Sequence, residues 1–216
     1  MMTQLSARPP AATPQPQTRR AIAKQRTRQR LLAAAKQLVT ERGYDAATVR
    51  DIANAADLST GAVFASFADK ADLFNEVILA DYTVLLEQMN ATAAEENSAR
   101  ATLIKLLALA YAYHFEELPL VQAAIGFSWL REGSVERRNR EGVKLILARL
   151  SAVLRSGVES GELADTLDVE LIAEMAWDSY VANYRRAIFD GWDMDALRAR
   201  ISDQIEVLLD GYQIAA

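Results

Sequence analysis

The chain is 216 residues long, carries a formal net charge of −5, and contains one histidine and no cysteine. Lack of cysteine removes disulfides and thiolate chemistry and suits a reducing cytosol. A lone histidine without metal-spaced carboxylates leaves no catalytic or metal set, so neither an enzyme nor a cofactor is expected.

The charge is unevenly spread. Residues 1–70 hold eleven Lys or Arg against five Asp or Glu, a local +6, while the remainder holds thirteen against twenty-four, a local −11. A basic module beside an acidic remainder is the footprint of a nucleic-acid binder joined to something else.

The first segment, 1–24, holds four of the five prolines and no acidic residue, and is expected to be a disordered basic tail. An organelle transit peptide would share that composition, but the helical corner downstream disfavours it. Helix signals begin at Gln25 and run to Arg42, with Leu31, Leu32, Ala35, Leu38 and Val39 on one stripe and Gly43 as terminator.

Thr48 to Lys70, TVRDIANAADLSTGAVFASFADK, then predicts two short helices around a tight turn. Thr48 with Asp51 forms an N-terminal cap pair, and Val49, Ile52 and Ala56 recur at helical spacing. Asp57-Leu58-Ser59 is the turn. Ser59 or Thr60 caps the next helix, whose Val63, Phe64 and Phe67 are expected to supply its apolar contacts. Thr60, Gly61, Ala62, Ala65 and Ser66 are then left to face outward. Small side chains there let a helix backbone approach base edges, which suits a helix-turn-helix reader. Helix-turn-helix corners also occur in proteins that never touch DNA. The basic residues Arg19, Arg20, Lys24, Arg26, Arg28 and Arg30, directly upstream, favour the DNA reading.

Downstream, helices are expected from Lys70 to about Glu95, from Ser98 to Leu118 with Pro119 as the stop, and from about Leu120 to Leu130. Further helices follow over Glu136–Ser160, Asp168–Asp190 and Asp193–Asp210, each ended by glycine. No segment alternates as a strand would. The expected fold is all-α with about nine helices. No apolar run approaches the ~20 residues that span a bilayer, so no membrane partner is expected.

The penultimate helix is apolar around most of its circumference, and the last carries its own apolar stripe. Ile172, Ala176, Leu197, Ile201, Ile205 and Leu208 are therefore expected at a homodimer interface, a four-helix arrangement about a two-fold axis. Packing within one protomer is the alternative.

Ten of the sixteen aromatic residues lie between Tyr111 and Trp192. His114 shares an apolar face with Leu103, Leu107 and Ala110, where a satisfied core histidine is the commoner outcome. Together with Phe115, Phe127, Trp129, Trp177, Tyr180, Asn183 and Tyr184 it could line an apolar cavity with a few polar handles; otherwise these side chains are core.

The stretch RQRLLAAAKQLVTERGYDAATVRDIANAADLSTGAVFASFADKADLF resembles the DNA-binding domain of the TetR family of bacterial transcriptional regulators. The resemblance rests on Arg42-Gly43-Tyr44, Thr48, Asp51-Ile52-Ala53, Ser59 with Gly61, the Phe64/Phe67 pair, Lys70 and Leu73-Phe74. It implies a DNA-binding domain over 25–85 with its helix-turn-helix at 48–67, and an effector and dimerisation domain over 86–216. It further implies a cytoplasmic homodimeric repressor that a small molecule releases from a pseudo-palindromic operator. A regulator without an effector, or an activator, is the alternative.

Within the corner, Arg50, Thr60, Ala62 and Ala65 are the expected base readers, and Arg50 could hold a phosphate instead. Thr48, Ser59 and Lys70 are expected phosphate positioners, the first two equally well simple caps, with Arg26 or Arg28 as an arm. Three positions depart from the family. Phe64 stands where a tyrosine is usual and is expected to pack; Ser66 stands where a histidine is frequent and can still donate a hydrogen bond. Asp57 occupies a turn position where glycine is common.

Overall fold

The computed structural model describes residues 18–94, 98–130 and 133–212, without the side chains of 129, 130 and 133–136. Nine α-helices and two short 3-10 turns form among the described residues, with no strand. The helices are α1 (Arg19–Arg42), α2 (Val49–Ala55), α3 (Thr60–Phe64), α4 (Lys70–Ala91), α5 (Ala99–His114), α6 (Leu118–Leu130), α7 (Gly133–Glu159), α8 (Val169–Asp190) and α9 (Met194–Leu209).

The first helix starts earlier than its apolar stripe predicts. Thr18 caps it by accepting from the Ala21 amide, and the Arg, Ala, Lys and Gln residues that follow are good helix formers. Residues 19–24, expected in a disordered tail, are therefore helical; residues 1–17 lie outside those described. The helix expected over Ser98–Leu118 is also divided. A 3-10 turn over Phe115–Glu117 separates α5 from α6, and Pro119 sits in the first turn of α6. Its missing amide costs nothing there, whereas within a continuous helix it would remove a bond and clash.

Two apolar clusters form the interior. Leu31, Leu38 and Val39 of α1, Ile52 of α2, Val63 of α3, and Leu73, Phe74, Val77 and Ile78 of α4 make the first. The second joins Leu85 and Met89 of α4 to α5, α7, α8 and α9, with Leu107, Leu150, Tyr180, Leu197, Ile201 and Ile205 among its members. Helix α4 belongs to both, so the expected division after residue 85 falls inside a continuous helix. Helix α6 bridges them too, with Leu120 in one cluster and Val121 in the other.

Close packing is most demanding where α7 meets α5. A Cβ at Gly157 would lie 2.6 Å from the Ala99 Cβ and 2.8 Å from Leu163 Cδ1, so only glycine fits without displacement.

The expected dimer-interface set is corrected by this packing. Leu197, Ile201 and Ile205 are wholly buried in their own protomer, and Ile172 and Ala176 lie in the same core. Helices α8 and α9 pack on each other, α8 also on α7 and α9 on α5, so a second chain cannot also reach those faces. Leu208 alone is partly exposed. The large apolar side chains that α8 and α9 leave uncovered are Leu171, Met175, Phe189 and Val207.

Candidate nucleic-acid interface and cavity

The corner is assembled by reciprocal capping. The Asp51 amide donates to Thr48 Oγ1 (3.1 Å) and the Thr48 amide to Asp51 Oδ2 (3.3 Å). The Thr48 hydroxyl also donates to Asp51 Oδ2 at 2.6 Å. These bonds to Thr48 hold the Asp51 carboxyl below its ordinary range. Thr48 is thus a cap, with its hydroxyl proton already engaged. Ser59 caps α3 by accepting from the Ala62 amide (3.3 Å). Between the helices, Asp57 adopts φ 51°, a left-handed conformation that explains why glycine suits this turn.

Val63 and Phe67 point into the core, while Thr60, Gly61, Phe64 and Ala65 are exposed and Ala62 and Ser66 half-buried. Phe64 therefore does not pack as expected. It is 58% exposed, because residues 63 and 67 take the single inward face of so short a helix. The Ser66 hydroxyl is committed to its own helix, donating to the Ala62 carbonyl at 3.0 Å. Arg50 and Arg26 are exposed.

Two basic residues assigned to phosphates do other work. Arg28 donates to the Ser66 carbonyl (2.9 Å) and to Glu76 Oε2 (2.6 Å), and its guanidinium lies 4.3 Å from the Phe67 ring centroid. It braces the end of the reading helix rather than serving as a free arm. Lys70 lies 4.1 Å over the Tyr44 ring with a long contact to the Asp45 carbonyl (3.4 Å). Partial burial pulls its ammonium below the ordinary lysine value. Arg30, from α1, donates to the Ala56 carbonyl at the end of α2. Arginines on one helix thus hold the backbone of both corner helices.

Beneath the corner lies a cavity of about 660 Å³, within the range typical of small-molecule sites. Its walls are Ile78, Asp81 and Tyr82 of α4, the end of α5 at His114, α6 from Leu120 to Ser128, α7 from Asn139 to Leu147, and α8 from Glu174 to Tyr184. Of the expected residues, His114, Trp177, Tyr180 and Tyr184 line it. Phe115, Phe127 and Asn183 do not. Phe127 packs edge-on to Tyr44 and Phe74 in the first cluster (4.3 and 4.7 Å). Asn183 donates behind the wall, to Tyr111 Oη (3.1 Å) and Gln204 Oε1 (2.7 Å). Phe115 packs on the second cluster, and the Trp129 side chain lies outside those described.

Asp81, Tyr82, Asn139, Arg140, Lys144, Glu174 and Asp178 also line the cavity, though none is expected there from sequence. For Asp81 a signal existed: it is a single acid on the stripe Phe74, Val77, Ile78 and Leu85. In the structure it is 7% exposed and triply bonded. Oδ1 accepts from Lys36 Nζ (2.7 Å) and Tyr113 Oη (2.9 Å), and Oδ2 lies 2.6 Å from His114 Nε2. Burial opposes its charge, yet the bonds from His114 and Lys36 outweigh burial and keep the carboxyl below its ordinary range. Burial likewise opposes the Lys36 charge, and bonds to Asp81 and Glu117 overcome it and hold Lys36 above the ordinary lysine value. The Tyr113 hydroxyl, buried beside Asp81, is pushed up to about 12. Tyr180 and Tyr184, buried against each other (2.8 Å between hydroxyls), are raised as well.

Among the described residues no cluster of acidic, cysteine or histidine side chains could hold a metal ion. No described helix is long and apolar enough to cross a membrane.

Residues 31–77 match the family described as bacterial regulatory proteins, tetR family. The fatty acid metabolism regulator protein of Bacillus subtilis is 26% identical over 185 residues, covering 84% of this chain and 93% of that protein. The HTH-type transcriptional repressor KstR2 of Rhodococcus jostii is 29% identical over 164 residues, covering 69% of this chain and 76% of its own. In fold, the chain is similar to the transcriptional regulator FadR from Bacillus subtilis in complex with stearoyl-CoA. That likeness has a TM-score of 0.71 at 21% identity and covers 85% of this chain and 98% of that one.

Proposed function

We propose that this chain, a TetR-family transcriptional regulator rather than an enzyme, is a homodimeric repressor released from a pseudo-palindromic operator when a small apolar or aromatic molecule fills the cavity. The observation that carries this reading is the course of α4. Its N-terminus, capped by Asp69, follows the reading helix after a short turn, and two turns later its Ile78, Asp81 and Tyr82 form a cavity wall. A ligand that favours one placement of this helix shifts the placement of the reader. A differential affinity of ~1–3 kcal/mol changes operator affinity by roughly 5–150-fold.

On the operator side, Thr60, Gly61, Phe64 and Ala65 face the bases, with Arg50 beside them on α2. Exposed Arg19, Arg20, Lys24 and Arg26 on the first turns of α1 supply phosphate contacts. Dimerisation doubles these few contacts and sets the half-site spacing. The second copy covers the uncovered Leu171 and Met175 of α8 with Val207 of α9, not the buried stripe. The structural relative holds stearoyl-CoA, so a long-chain acyl thioester is the first compound to try in the cavity.

The test is selection of duplexes from a random pool by the purified protein, followed by anisotropy titrations with Arg50→Ala/Thr60→Ala. The reading requires loss of sequence preference in the double variant. Unchanged operator selection would overturn it.

A further inference from the structure

We propose that the cavity is coupled to the DNA-reading corner by a buried hydrogen-bonded chain that ends on Lys36 of α1, a route separate from the direct continuation of α3 into α4. The inference rests on the regulator reading above and names the side chains that carry its signal.

The chain begins in the cavity wall. Tyr184 Oη lies 2.8 Å from Tyr180 Oη, which lies 3.0 Å from His114 Nδ1. The opposite ring nitrogen of His114 meets Asp81 Oδ2 at 2.6 Å, and Asp81 Oδ1 accepts from Lys36 Nζ at 2.7 Å. Tyr180, Tyr184, His114 and Asp81 all line the cavity and all are buried. Lys36 belongs to the helix that braces the corner. On its preceding turns, Arg28 donates to the Ser66 carbonyl after α3 and Arg30 to the Ala56 carbonyl after α2. Positions 28 and 36 lie on one helix face, and α1 is gripped by Asp81 at Lys36 while two turns earlier Arg28 and Arg30 grip the backbone of both corner helices.

The internal bonds run from 2.6 to 3.0 Å, and Tyr184, Tyr180, His114 and Asp81 are buried, so bulk water is no easy substitute for their partners. A buried polar chain of this kind has few satisfactory arrangements, because a partner lost to a ligand leaves the next group unpaired at considerable cost. A molecule whose polar group engages Tyr184 or His114 must therefore rearrange Asp81. With Asp81 drawn aside, Lys36 turns to Glu117, its other partner at 2.9 Å on the 3-10 turn after α5. That exchange transfers the α1 anchor from α4 to the α5–α6 connection, which bears on the cavity.

Coupling free energies are reciprocal, so the operator must act on the cavity wall as strongly as the ligand acts on operator affinity. This permits a test that needs no ligand. His114 is the only histidine in the chain, so full-length protein labelled with ¹³Cε1-histidine gives one histidine signal by NMR. Saturating a selected operator duplex should move that signal in the wild type, while a scrambled duplex at equal saturation should not. Lys36→Met, checked for operator binding by anisotropy and for fold by circular dichroism, should reduce the movement by more than half, and Lys36→Arg should restore it. If Lys36→Met does not fold, Lys36→Gln supplies the same comparison. A wild-type signal that stays in place on operator binding, or moves equally in the Lys36 variants, overturns the proposal. Failure to select any duplex would instead sink the regulator reading beneath it.

Discussion

Replacing Asp81 by asparagine should destabilise the protein in a pH-dependent way. The carboxylate accepts from Lys36 and Tyr113 and meets His114 Nε2, at 2.6 to 2.9 Å. Removing one partner of a buried pair costs about 3–5 kcal/mol. Lys36 keeps Glu117 at 2.9 Å and has some solvent contact, which lowers the expected loss to about 2–3 kcal/mol. For a chain of this size that is a fall in Tm of about 4–12 °C. Thermal melts followed by circular dichroism, at one fixed protein concentration because a dimer's melting depends on it, would measure this. The sign of the pH dependence follows from linkage. The Asp81 carboxyl is held below its unfolded value in the folded protein, so its contribution is complete above the ordinary value near ~4 and is lost as pH falls through the lowered folded value. The gap between wild type and Asp81→Asn should therefore be widest at neutral pH and shrink in acid. A neutral-pH gap near zero, or one that persists undiminished in acid, would refute the reasoning.

Other substitutions separate the roles of individual residues. Gly157→Ala should cost about 1–3 kcal/mol in urea denaturation because its Cβ would overlap Ala99 and Leu163; an unchanged midpoint would show that α5 and α7 can move apart freely. At Asp57, with φ 51°, glycine should be neutral or stabilising by up to about 1 kcal/mol while valine destabilises by about 1–2 kcal/mol. Equal tolerance of both in urea melts would contradict a left-handed turn. Arg28→Gln should lower Tm and weaken binding to every duplex, since it releases the Ser66 carbonyl and Glu76. Arg26→Gln should leave Tm within about 1 °C of wild type and flatten the salt dependence of DNA binding. The reverse pattern would return Arg28 to the role of phosphate arm.

Local chemistry was the legible part of the sequence. Thr48 with Asp51, Asp168 before α8 and Gly191 after it have chemical roles that act within a few residues, and each stands where its spacing predicts. Pro119 marked a boundary, but whether it stopped one helix or started the next depended on a 3-10 turn with no signature of its own. Phe64 illustrates a second limit. In a five-residue helix, periodicity names several apolar residues and cannot say which one the core has no room for. The dimer stripe failed for a similar reason, because Leu197, Ile201 and Ile205 show that a face is buried without showing what covers it. At the cavity, the aromatics point to α8, whereas nothing local marks Asn139, Arg140 and Lys144 of α7, which meet the cavity because α4 and α8 close around it. Arg28 reads as a phosphate arm and Lys36 carries no signal, because their partners, Glu76, Ser66 and Asp81, are distant in sequence.

The central claim, a sequence-specific DNA reader held by a basic arm and controlled from the cavity beneath it, is tested most directly by anisotropy titration of a selected duplex against its scrambled counterpart across a salt series. The account predicts preference for the selected duplex, an even number of protomers per site, and affinity that falls steeply as salt rises, with a log–log slope of about −0.9 for each phosphate neutralised. Equal affinity for both duplexes, or binding indifferent to salt, would contradict it.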